Sequence, residues 1–116
     1  MDIHRAKELE GYATDLRAKA ILYEDCRTKA GKAKADIDIL LAGQIGNFRM
    51  KKANLGYEMA LLMLMEENPV AQELYRQMEE NTAKYKSLER IIDAISSTIT
   101  LYQSIMKYTL QGERYG

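Results

Sequence analysis

The side chains best suited to chemistry in this chain are few and widely spaced. There is one imidazole, His4, and one thiol, Cys26. A cysteine nucleophile needs a base within hydrogen-bond reach, and two residues this far apart on one helix are separated by roughly 33 Å at 1.5 Å per residue. No dyad forms within one chain, so Cys26 reads as a small core hydrophobe and His4 as a surface residue near the N-terminus. Carboxylates come in pairs, at Glu24-Asp25, Asp36 and Asp38, Glu66-Glu67 and Glu79-Glu80. Neighbours on a helix point about 100° apart, and none of these pairs has the Glu-x-x-His companion used by di-metal bundles; they read as solvated faces. One Cys and one His are too few for a structural zinc site or an internal disulfide. The glycines sit singly, without a dinucleotide fingerprint, P-loop or nucleophile elbow. The expectation is a non-enzymatic protein with no cofactor and no metal.

Cations are the other candidates for a site. Seventeen basic residues balance seventeen acidic ones, so no global field recruits nucleic acid and any such contact must come from local clustering. Two clusters exist: Arg27, Lys29, Lys32 and Lys34, and then Arg49, Lys51 and Lys52. If the chain reverses at Gly43 to Gly46, the two runs fold toward one another into a positive patch, diluted by Asp36 and Asp38. The second run would then occupy the first turn of a helix, against the dipole, where free N–H groups and cations together make an anion site. Of eight tyrosines, Tyr57, Tyr75, Tyr108 and Tyr115 are free to stack on a ligand beside such a patch.

The elements that position these groups are helices. The composition is rich in Ala, Leu, Met, Glu and Lys, with one Pro, one Phe and no Trp, which points to an all-α chain. Apolar residues recur every seven from Leu9 through Leu16, Tyr23 and Ala30 to Ile37, with Tyr12, Cys26, Ala33 and Leu40 three positions after them; Lys19 interrupts the second row. A second seam runs Ala71, Met78, Tyr85, Ile92, Ile99, Met106 and Leu74, Asn81, Leu88, Ile95, Tyr102, Thr109. Heptads sustained over this length are coiled-coil seams. The seam tyrosines Tyr12, Tyr23, Tyr85 and Tyr102 read as core with the hydroxyl at a polar rim, and Asn81 as a polar residue that sets register. Gly43 and Gly46 serve as turn residues, and Asn68-Pro69 as an N-cap followed by a first-turn proline. The spacing therefore predicts helix 1 over about 3–42, a turn at 43–47, helix 2 over about 48–67 and helix 3 over about 69–111. Together they form one domain, an antiparallel helical hairpin or coiled-coil bundle of two long helices and one shorter one.

Helix 2 carries "EMALLMLMEENP", residues 58–69, with seven apolar residues in a row. A helix apolar on two faces must lie between two partners, and methionine adapts to irregular surfaces. Met59, Leu62 and Met63 are predicted to line one interface and Leu61, Leu64 and Met65 another, with at least one of the two between subunits of a homo-oligomer. Ile91 and Ile105, in step with Thr98, widen the stripe of helix 3 beyond two rows, which also points to a bundle. No apolar run reaches the roughly 20 residues a membrane span requires, and no signal-peptide h-region is present; the expected location is the cytoplasm.

Residues 68–108, "NPVAQELYRQMEENTAKYKSLERIIDAISSTITLYQSIMKY", resemble the C-terminal half of small helical proteins encoded in early, replication and recombination gene clusters of tailed bacteriophages. The resemblance rests on the aliphatic heptad frame and its tyrosine-rich end. It implies a setting in the host cytoplasm rather than a mechanism, and carries over no catalytic residue. The expected function is a homo-oligomeric interaction or accessory protein in nucleic-acid transactions. The alternatives are an anti-defence protein that sequesters a nucleotide or a host protein, and a DNA-binding protein using the basic patch.

Overall fold

A computed structural model describes residues 3–115. Three α-helices make up its regular structure: α1 (Ile3–Lys51), α2 (Tyr57–Glu67) and α3 (Pro69–Tyr115). No strand occurs among the described residues, and the chain is all-α. The helices build two compact units, one from the residues up to Glu24 with those from Tyr85 onward, the other from Asp25–Lys84.

In the first unit, the opening turns of α1 run antiparallel to the later turns of α3. Tyr12 tilts against Tyr102 with ring centroids 5.6 Å apart, and Tyr23 meets Tyr85 edge to face at 5.8 Å. The Tyr102 hydroxyl donates to Glu8 Oε2 at 2.6 Å, so its polar end does reach a polar rim. The expected seam residues Leu9, Tyr12, Leu16, Tyr23, Leu88, Ile92, Ile95, Ile99 and Met106 are all half-buried here. None is fully enclosed, because two helices cover each other on one side only.

The second unit holds every fully buried residue among those described, and three helical segments supply them. Ile37, Leu41 and Phe48 of α1, Leu55 of the connection, Ala60 and Leu64 of α2 and Ala71 of α3 form its core. Phe48, the only phenylalanine, is 1% exposed.

This core overturns the expected turn at 43–47. Helix 1 does not end near residue 42; α1 passes through Gly43 and Gly46 to Lys51, and neither glycine has positive φ. Two glycines inside a helix cost about 1 kcal/mol each. Burying Phe48 returns roughly 1.5–3 kcal/mol, and Leu41 and the half-buried Ile45 add to it, so continuing the helix is favoured. The buried stripe also changes period: Ala30 to Leu41 and Ile37 to Phe48 are eleven-residue steps. Eleven residues over three turns track a straight α-helix more closely than a heptad does, which explains why Leu41 is buried where the heptad row selected Leu40.

The actual reversal lies at residues 52–56, and α2 begins at Tyr57 rather than near residue 48. Gly56, its N-cap, is extended (φ −77°, ψ 166°) and offers no side-chain cap. The Asn68-Pro69 boundary is as expected. Asn68 Oδ1 accepts from the Val70 N–H at 2.9 Å and from the Ala71 N–H at 3.3 Å, while its own N–H closes α2 onto the Leu64 carbonyl. One residue thus stops one helix and starts the next. α3 continues past the expected end at 111, to Tyr115.

Candidate functional site

The structure does not gather the basic residues into a patch. Both runs lie on one helix, apart from Lys52 just past its end, and from Lys34 to Arg49 is roughly 22 Å along its axis. At about 100° per residue, Arg27 and Lys34 project from one side of α1 and Lys29 and Lys32 from the other. The buried Ala30, Ala33 and Ile37 lie between the two sides. Lys29 is held by Asp25 at 3.0 Å, and the carboxylate raises its pKa. Lys32 shares a polar gap with Asp36, Gln77 and Asn81.

Arg49 and Lys51 belong to the last turn of α1, not the first turn of α2. There cations complement the helix dipole rather than oppose it, and the expected anion site at a helix N-terminus is lost. Lys51 instead reaches Glu67 at 3.3 Å, and Lys52 lies beyond the helix. Asn81 does not act across the seam through its amide nitrogen, which bonds to the Gln77 carbonyl of its own helix at 2.8 Å.

The apolar run of α2 divides into a covered and an open face. Leu64 is buried, and Leu61, Met63 and Met65 pack half-buried against the same core. The second expected interface is thus occupied within the chain, and Met63 joins it. Met59 and Leu62 remain 44% and 58% exposed, three residues apart on the outward side. Beside them runs an open groove of about 510 Å³, lined by Ile37 of α1, Leu61 and Leu62 of α2, and Tyr75 and Met78 of α3, with Lys34 and Glu58 as its charged groups. Tyr57, which also lines it, is anchored by donating its hydroxyl to Asp38 Oδ1 at 2.9 Å. That bond stabilises the protonated phenol and raises its pKa. Sequence periodicity missed this tether, since nothing in the spacing of Asp38 and Tyr57 reveals where the chain reverses.

Among the described residues no group of three or more His, Cys, Asp or Glu side chains is placed to hold a metal ion, and Cys26 is half-buried on α1. His4 pairs with Glu8 at 3.2 Å. The most connected charges are an exposed chain along α3, in which Arg76 bridges Glu73 and Glu80 at 2.7 Å each and Lys84 also reaches Glu80. These partners lower the pKa of both glutamates. All follow i,i+3 or i,i+4 spacing, so they support the helix rather than form a site. No described helix is long and apolar enough to cross a membrane.

No protein-family model, curated protein or solved structure matches the chain.

Proposed function

We propose that the protein is a non-enzymatic interaction protein that works as a homo-oligomer, with the outward face of α2 as a contact between subunits. The carrying observation is that Met59 and Leu62 stay exposed beside an apolar groove although the rest of the α2 apolar run is packed. Large apolar side chains gain roughly 1.5–3 kcal/mol each on burial, and a groove with a few charged groups is the surface into which another helix lays its apolar face. In this reading a helical hairpin supplies the scaffold, and the open face of α2 is where chains meet.

Light scattering tests the reading. The parent should show a mass above the 13.3 kDa of one chain at tens of micromolar. The double variant Met59→Glu, Leu62→Glu should lower that mass with helix content retained by circular dichroism. An unchanged mass would remove α2 from the contact.

A further inference from the structure

Residues 94–106 of α3, "AISSTITLYQSIM", contain no charge, although the helix is densely charged before them. One face of this stretch packs in the seam through Ile95, Ile99, Tyr102 and Met106. The adjoining face repeats the heptad one residue earlier, as Ile91, Ala94, Thr98, Leu101, Ile105 and Tyr108. On that face Ile91 and Ile105 are 40% and 38% exposed, and Leu101 and Tyr108 are 59% and 81% exposed. It is a second seam with the a and d spacing of a coiled coil, and its rim positions Ser97 and Ser104 are small and uncharged.

We propose that this face pairs antiparallel with the same face of a second copy of the chain, about a two-fold axis between Thr98 and Leu101. In an antiparallel pair each a residue sits across from a d residue. The two-fold then sets Thr98 against Leu101, Ala94 against Ile105 and Ile91 against Tyr108. Two of the three layers match a small residue with a large one, as interdigitating cores require. A parallel pairing would instead stack Leu101 on Leu101 and Ala94 on Ala94.

Charge does not oppose this register. Ser97 of one copy flanks the stripe beside Ser104 of the other, twice by symmetry, while Asp93 and Lys107 point away from the contact. The face and its rim offer on the order of 600 Å² per copy, about 1,200 Å² in all, which reaches the lower end of stable interfaces. This contact does not rest on the α2 reading, and it uses different residues.

The test uses the full chain carrying Met59→Glu and Leu62→Glu, so that any α2 contact is removed. A concentration-dependent dimer is expected by sedimentation or light scattering, and Leu101→Glu with Ile105→Glu should leave only the 13.3 kDa monomer. A monomer at tens of micromolar overturns the proposal, as does a dimer indifferent to the Leu101 and Ile105 changes. None of these outcomes bears on α2, whose own variants read that surface separately.

Discussion

At the level of single residues, the polar contacts that matter most are tyrosine hydroxyls donating to carboxylates. The bond from Tyr102 to Glu8 stabilises the protonated phenol and pushes its pKa up to about 12 from the ordinary 10.0. Since the raised value belongs to the folded state, the bond contributes its full stabilisation below pH 10, and loses it as pH rises from 10 toward 12. A titration of phenolate absorbance should therefore show Tyr102 ionising late, and Glu8→Gln should shift that late phase downward. A titration of all tyrosines together near 10 would mean the bond does not persist in solution. Phe48 is the other decisive residue. Phe48→Ala should cost about 3–5 kcal/mol, a large share of the 5–15 kcal/mol that holds a small domain, and thermal melting followed by circular dichroism reads it directly.

At the level of elements, α1 is held through two glycines by what lies beyond them. Gly43 and Gly46 are helical, and a Cβ added at either meets nothing within 4 Å. Gly43→Ala and Gly46→Ala should therefore each stabilise the protein by about 0.5–1 kcal/mol, seen as a higher denaturant midpoint with an unchanged slope. A turn at this place would give the opposite sign, so the pair of variants discriminates between the two structures. Asn68→Ala removes an acceptor shared by two N–H groups and should cost about 1 kcal/mol. The neighbouring Pro69 has no N–H to lose at the first helical position and keeps the α3 boundary in place.

At the level of the whole molecule, fully buried side chains occur, among the described residues, only between Ala30 and Ala71. The unit formed by the early turns of α1 and the later turns of α3 relies on half-buried pairs, and local stability follows burial. Amide hydrogen exchange should accordingly be slowest around Ile37–Phe48 and Leu64–Ala71, and faster in residues 3–24 and 85–112. Self-pairing of α3 makes a further demand, that protection across residues 91–108 rise with protein concentration while that around Phe48 does not. Uniform protection along α1 would contradict the division.

Much of this was legible in the residues alone. The all-α class, the seam of α3 from Ala71 to Met106 and the Asn68-Pro69 boundary follow from period and capping chemistry, which act over a few neighbouring residues and so are written locally. The tyrosine pairs were half legible: their seam positions were readable, their partners were not. The turn at 43–47 was misread because glycine marks either a reversal or a tolerated helical position, and the choice rests on burial of Phe48 against Leu64 and Ala71, residues distant in sequence. With the turn misplaced, Arg49 and Lys51 fall at the wrong end of a helix, and cations spread along opposite sides of α1 look like one patch. Which face of α2 is covered was likewise decided only by packing. Seven consecutive apolar residues carry no phase of their own, and only the positions of Ile37, Phe48 and Ala71 select Leu64 for the core and leave Met59 and Leu62 in water.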